Sequence, residues 1–323
     1  MYISLHDCRL TSRIIDLMTS IAESVGQLEG VKLYQPSPSL RRRNRIKTIQ
    51  SSLSIEGNSL TREQVTALLD NKRVIGPQKD VVAVRNAIEV YARLASFDPV
   101  SLVSFLDAHR MVMAGLVGTA GSLRKTPIGV VREGDIFHEA PEWEHVASLM
   151  QALFDYLKAS DDHVLLKSSR FHYQLEYIHP FEDGNGRMGR LWQTRLLMEY
   201  HPIFEFLPVE EQIRARQGDY YRELAIGDDS GDCTGFVGFM LELILESLRG
   251  LLIDTRSVTL SAPNRLEMAL AHFENATFSR KDYQAFFKTI STATASRDLQ
   301  YGVKRGLLVK SGDKRTAVYR YKN

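Results

Sequence analysis

Apolar residues recur at helical spacing through most of the chain. The clearest case is WEHVASLMQALFDYLK, where Val146, Leu149, Met150, Leu153, Phe154 and Leu157 fall on one face. That stripe reads as core. Upstream, Thr-Arg-Glu-Gln at 61–64 has the spacing of a capping box and opens a helix through Val65, Leu68 and Leu69. Val81, Val84, Ile88 and Tyr91 mark the next helix, residues 101–116 a further one, and Phe171, Leu175 and Ile178 another. In RRRNRIKTIQSSLSIEGN, residues 41–58, Ile46, Ile49 and Leu53 share a face and the arginines read mostly as a solvated one. Gly57-Asn58 ends that helix, since both residues tolerate a left-handed C-terminal cap. Glu56 is thereby left in the last turn, where the helix dipole disfavours a carboxylate.

Strand texture is confined to two places. RKTPIGVVREGDIFH, residues 124–138, is a β-branched run, a turn-like Glu-Gly-Asp and then Ile-Phe, which predicts a β-hairpin. After Ser261-Ala-Pro a helix begins near Ser279, a second spans ISTATASRDLQYGVKRG with Gly306 at its end, and LLVKSGDKRTAVYRY reads as two strands about a Ser-Gly-Asp turn. Helix, turn, helix and hairpin make a winged-helix arrangement. The fold class is therefore mainly α, with a small hairpin and a C-terminal α+β winged-helix domain over 262–323.

Composition changes this picture little. A chain of 323 residues, 44% hydrophobic and 25% charged, is ordinary for a globular protein of more than one domain. Its most apolar window, FMLELILESLRGLLI, is broken by Glu and Arg, so no membrane contact is expected. The opening MYISLHDCRL lacks the pattern of a signal peptide, and Cys8 and Cys233 suggest no disulfide framework; a cytoplasmic location is expected. Charge is more informative. Residues 262–323 hold 12 Lys/Arg against 5 Asp/Glu, a balance of +7 within a chain of net charge +2. A basic tail on a mildly acidic body hints at a polyanionic partner, although a solvated basic surface is the commoner explanation.

The chemistry concentrates in HPFEDGNGRMGR, residues 179–190. His179 precedes a proline, which pushes it out of the α region and ends its helix. Asp183-Gly-Asn-Gly lets backbone N–H groups converge, and helical periodicity resumes at Arg187, so the segment forms an anion site suited to phosphates. Arg187 and Arg190, three apart, suit a polyphosphate better than a lone carboxylate. Asp183 facing the same anions implies a divalent cation between them, and Mg²⁺ fits. His179 remains as a general base. A plain turn would explain the Gly pairs, but not two phased arginines with a histidine opposite.

HPFEDGNGRMGR matches at every specified position the motif His-Pro-Phe-x-Asp/Glu-Gly-Asn-Gly-Arg-x-x-Arg, and by it the chain resembles the Fic (Fic/Doc) family. Gly121-Ser-Leu-Arg124 and the following hairpin, with Ile128, Gly129, Val130 and Val131, resemble the family's target-docking flap. Tyr220-Tyr221 look like its adenine-side tyrosines. SLSIEG, residues 52–57, is similar to the inhibitory motif Ser/Thr-x-x-x-Glu-Gly/Asn, on a helix at about 41–57 within an N-terminal region, 1–98; the catalytic core would span 99–255. A winged-helix tail is a common appendage of the family.

The resemblance implies a helical bundle that transfers AMP from ATP to a Ser, Thr or Tyr hydroxyl of a protein, or of itself. His179 would deprotonate the hydroxyl, Asp183 would hold Mg²⁺, and Gly184, Asn185 and Gly186 would position the α-phosphate. Arg187 would hold the β- and γ-phosphates, while Glu56 paired with Arg190 would block the γ-phosphate partner. Two departures stand out: HEAPEW carries the single Pro141 where the flap is often followed by two or three prolines, and Asp228 stands where some members have an adenine-side Asn. Two alternatives stay open: a nucleotide-sensing regulator that binds DNA through residues 262–323, and transfer of a different phosphate-containing group. The target and the oligomeric state, a homo-oligomer included, are left open.

Overall fold

The computed structural model describes residues 5–30, 38–132, 135–257, 261–287, 290–313 and 316–322. In chain order the elements are α1 (Ser12–Gly30), α2 (Pro38–Ile55), α3 (Arg62–Leu69), α4 (Gln78–Ala92), α5 (Leu102–Val112), β1 (Gly129–Arg132), β2 (Asp135–Glu139), α6 (Trp143–Ala159), α7 (Val164–Ile178), α8 (Asn185–Tyr200), α9 (Val209–Ala215), α10 (Gln217–Ser230) and α11 (Thr234–Ser257). There follow α12 (Ala262–Phe273), β3 (Phe278–Ser279), α13 (Arg280–Phe286), α14 (Thr292–Lys304), β4 (Leu308–Ser311) and β5 (Val318–Tyr321). The fold is thus mainly helical. Two compact units emerge, one from residues 1–35 and 43–252, the other from 36–42 and 253–323.

The first unit is organised around α7 and α8. Gly189 lets them approach: a Cβ there would lie 2.7 Å from His172 Cδ2. Trp192 on α8 is fully buried among Phe105, Phe154 and Phe97, and its indole N–H donates to Pro99 O at 3.0 Å. The α6 stripe from Val146 to Leu157 is buried throughout, as its spacing predicts. Thr61 and Gln64 form the predicted capping box of α3. The predicted 101–116 helix is shorter, since the chain leaves α5 after Val112 and Gly115 takes a positive φ.

Helix α2 bears out the solvated basic face at Arg42 and Arg43, which are exposed, but not along the rest of its polar side. Ile46, Ile49 and Leu53 are buried, but so are Asn44, Thr48, Ser51 and Ser52. Arg45 pairs with Glu205 at 2.6 Å, Lys47 with Glu211 at 2.9 Å, and Asn44 Nδ2 donates to Phe206 O at 2.9 Å. The polar side of α2 is thus covered by residues more than 150 positions away, which local periodicity cannot register.

Strands β1 and β2 pair antiparallel with each other alone, Gly129 opposite Glu139, with an irregularity between Val130 and Val131. The predicted turn residues Glu133 and Gly134 lie outside the described residues. Segment 5–10 runs beside the start of α11: Asp7 bridges Asp232, and Cys233 N–H donates to Asp7 O at 2.8 Å. Cys8 and Cys233 meet there as free thiols.

The second unit packs α12, α13 and α14 on an antiparallel sheet in the order β3-β5-β4. Its core is Leu266, Ala269, Phe278, Tyr283, Ala295, Leu299, Leu308 and Tyr321. Helix α12 and strand β3 precede and join the helix-helix-hairpin pattern legible in the sequence. Asp298 is buried in an ion pair with Arg265 (2.8 Å from Nη2), anchoring α14 to α12.

Candidate active site

Helix α7 ends on His179, which adopts φ 48°, ψ 60°. A residue before proline ordinarily takes an extended conformation; here it forms a left-handed cap, its N–H still bonded to Leu175 O at 2.9 Å. That geometry costs a non-glycine residue roughly 1–2 kcal/mol. The surroundings hold it: Arg124 Nε donates to His179 O at 2.8 Å, and Arg124 N–H to Pro180 O at 2.8 Å. The half-buried imidazole thus stands at a rigid corner, with Nδ1 3.3 Å from Glu176 O.

The loop after this corner is closed from inside. Phe181 is fully buried. Asn185 clamps its backbone, accepting from Phe181 N and donating to Phe181 O, both at 2.9 Å. The Asn185 side chain is therefore occupied in shaping the loop, and a ligand would meet only its main-chain N–H. Gly184 takes φ 92° as the N-cap of α8, a conformation suited to glycine. Helix α8 then begins, and its first-turn N–H groups at Asn185, Gly186 and Arg187 have no partner within the helix, which makes an anion-binding concavity.

His109, on α5, supports the loop from beneath. Its ring stacks on Phe181 with centroids 3.5 Å apart and planes 5° from parallel. Gly121 N–H donates to Nδ1 at 2.9 Å, so the proton belongs on Nε2, which donates to Asp183 O at 3.0 Å. Burial pushes its pKa down to about 4, against the opposing Asp183 bond. Nothing local in the sequence singles out His109. Its place four residues after Phe105 marks burial, not its partners.

Asp183 Oδ1 accepts from Gly184 N–H at 2.6 Å and from Arg187 at 2.7 Å. Among the described residues no hydrogen bond reaches Oδ2. A single half-exposed carboxylate beside an anion site suits a hydrated Mg²⁺ carried by phosphates; among the described residues no cluster of three or more metal-ligating side chains exists. A cleft of about 210 Å³ lies alongside, lined by Leu53, Glu56, Lys79, Leu116, Asp183 and Arg187. Lys79 is a cleft residue that the motif does not reveal.

Arg190 is buried on the next turn. Its Nη2 lies 2.7 Å from Glu56 Oε1 and 3.0 Å from Ser52 O, and its Nε donates to Ser52 Oγ at 3.1 Å. Burial works against its charge, but Glu56 more than compensates and keeps the guanidinium protonated. Gly186 makes room for the pair, because a Cβ there would sit 2.5 Å from Glu56 Oε1. Glu56 itself lies just past α2. Gly57 N–H reaches Ser54 O at 3.1 Å and Asn58 N–H reaches Leu53 O at 3.0 Å, a Schellman cap with Gly57 at φ 81°. Ser59 and Asn58 tie the turn to the start of α4, Ser59 N–H donating to Asp80 Oδ2 at 2.9 Å.

The tyrosine pair divides. Tyr220 is 1% exposed, its hydroxyl 3.1 Å from His172 Nε2 and 3.3 Å from Glu176 Oε1. Packing against His172 and Phe236 takes the ring into the core. Tyr221 is half-buried and stays at the surface side of α10. Asp228 accepts from Tyr173 Oη at 2.8 Å, a bond within the bundle. Ile128 is half-buried at the start of the hairpin, and β1 carries Gly129, Val130 and Val131.

Fold and site together define an α-helical bundle with a two-stranded hairpin and a glycine-rich loop that leads into the N-terminus of α8. The Fic/DOC family model matches residues 99–197. A solved structure of a Fic family protein from Desulfovibrio desulfuricans G20 superposes with a TM-score of 0.76 at 35% identity, covering 100% of this chain and 99% of that one. The chain belongs to the Fic family. It is also 27% identical over 263 residues to the protein adenylyltransferase Fic of Nematostella vectensis, covering 75% of this chain and 58% of that protein. The protein of the same name from Drosophila willistoni is 27% identical over 233 residues, covering 67% and 44%. The chain spans about half the length of these curated relatives.

Proposed function

We propose that this Fic protein transfers AMP from ATP to a protein hydroxyl and is held off by Glu56. The observation that carries this reading is the 2.7 Å Glu56–Arg190 pair beside the glycine loop. Arg190 is a buried cation next to an anion site, and an acid from a separate helix occupies it. In the reaction the hydroxyl oxygen bonds to the α-phosphorus, the bond from that phosphorus to the α–β bridging oxygen breaks, and pyrophosphate leaves. His179 accepts the hydroxyl proton: with Nδ1 donating to Glu176 O, the Nε2 lone pair is the accepting site. The N–H groups at the start of α8, with Arg187, bind phosphate oxygens. Asp183 would hold Mg²⁺, which supplies charge neutralisation on the phosphates. Tyr221 is proposed to flank the adenine.

Incubation of a lysate with α-labelled ATP tests the reading. Glu56→Gly should label protein, itself included, roughly tenfold or more above wild type, since a charge-assisted hydrogen bond contributes about 1.5–3 kcal/mol. Adding His179→Ala should remove that labelling by about 10²–10⁴ while ATP binding persists. Equal labelling by wild type and Glu56→Gly would refute inhibition by Glu56, and full labelling by the double variant would take His179 out of the chemistry.

A further inference from the structure

We propose that Arg124 is a positioning residue that sets the β1–β2 flap against the His179 corner, and so delivers the acceptor hydroxyl to the imidazole; the inference rests on the AMP-transfer reading. Arg124 is 2% exposed; burial works against its charge, the Glu142 carboxylate offsets this only in part, and none of the guanidinium's hydrogen bonds goes to a carboxylate. Its guanidinium is held by carbonyls instead. Nε donates to His179 O at 2.8 Å, Nη1 to Thr126 O at 3.0 Å, and Nη2 to Pro141 O, with Ile178 O at 3.4 Å. Thr126 and Pro141 are the two feet of the hairpin, and Ile178 and His179 are the end of α7. One rigid fork therefore joins both feet of the flap to the residue that would take the proton.

The chemistry favours a directional role over simple filling. Burying a cation that a carboxylate compensates only in part costs folding free energy, and an apolar side chain of similar volume would avoid that cost. The planar guanidinium, with five donors in fixed directions, meets acceptors on three segments; a lysine ammonium cannot. The flap needs outside support because a two-stranded sheet is marginal by itself, and the guanidinium adds, at the hairpin's feet, to the packing of β2 against α10. The His179 corner has anchors of its own: the Leu175 O bond, the Asn185 clamp on Phe181, and the Arg124 main-chain bond to Pro180 O, which survives any side-chain change. Loss of the guanidinium should thus loosen the flap far more than the imidazole.

The test uses the full chain carrying Glu56→Gly, with Arg124→Lys or Arg124→Met added. Transfer of AMP to protein should fall by about 10²-fold, the cost of misplacing a reactant by about an ångström. Turnover with water as acceptor, read as AMP and pyrophosphate released, and ATP affinity should stay within about threefold, as the parts they need keep their own anchors. Hydrogen exchange should rise across 126–141 and stay unchanged in α7 and α8. Parallel loss of both turnovers, or retained transfer to protein, overturns the proposal. Should both substitutions prevent folding, Gly-Gly insertions after Pro127 and after Glu139 leave Arg124 and its acceptors in place but cut the strands loose from them. The same split between protein and water is then expected, and unchanged transfer to protein refutes the role. If Glu56→Gly transfers AMP to nothing, the proposed function fails, whereas flap exchange in Arg124→Lys still decides the role of Arg124: unchanged protection across 126–141 refutes it.

Discussion

His109 shows how one residue ties the motif loop to solution conditions. Its neutral ring accepts from Gly121 and donates to Asp183 O, and protonation of Nδ1 would remove the first bond. With a folded-state pKa of about 4 against an ordinary 6.5, the unfolded chain takes up the proton first as pH falls. Its contribution to stability is full above about pH 6.5 and is lost progressively toward pH 4, a change on the order of 3 kcal/mol at 1.36 kcal/mol per unit. Urea denaturation of wild type and His109→Gln between pH 7.5 and 4.5 measures it. The stability gap between them should narrow with acid, and a constant gap would show that His109 does not titrate this way. The motif itself, His179 to Arg190, is legible in the sequence because its parts are contiguous and folded locally by one turn. His109, the carbonyl partners of Arg124 and the burial of Tyr220 are not, since each is defined by a residue distant in the chain: Asp183, His179 and His172 respectively.

At the scale of elements, the end of α2 is a device built from local rules used against a distant charge. The Schellman cap at Gly57 fixes where the chain leaves the helix, and the bonds of Asn58 and Ser59 to α4 fix its direction. The carboxylate that the dipole of α2 disfavours is stabilised by Arg190 instead. A substitution cycle separates clamp from ligand. Arg190→Ala removes both the partner of Glu56 and the proposed γ-phosphate contact, so it should not mimic the release by Glu56→Gly, and the double variant should behave as Arg190→Ala alone. AMP transfer at saturating ATP reads this; a double variant as active as Glu56→Gly would mean that Arg190 serves only as the anchor of the clamp. Helices with one apolar stripe, such as α6, were predictable. The polar side of α2 was not, because its burial is provided by ion pairs from 205–211. Helix α12 and the two-residue β3 also escape prediction: the first has a short stripe and the second is too brief to alternate.

At the scale of the whole molecule, charge is the property that distinguishes the two units. In residues 262–323 the ion pair of Arg265 with Asp298 consumes an acid as well as a base. The exposed side of α14 keeps Arg297 and Lys304 at its surface, with Arg305 just beyond its end; Lys314 and Arg315 lie outside the described residues. The succession of α12, β3, α13, α14 and the β4–β5 hairpin supports a winged-helix reading, in which α14 is the element placed to enter a major groove. From that reading follows weak binding of duplex DNA by the full chain, with affinity falling steeply between 50 and 200 mM salt because each neutralised phosphate releases condensed counterions. Arg297→Ala with Lys304→Ala should lower affinity on every sequence alike and reduce the salt slope by about two, one for each cation removed. Fluorescence anisotropy with a labelled random duplex at low salt makes the measurement. No binding at low salt would assign this basic face to solvent or to protein contacts, and a salt slope unchanged by the double substitution would move the DNA-binding face off α14.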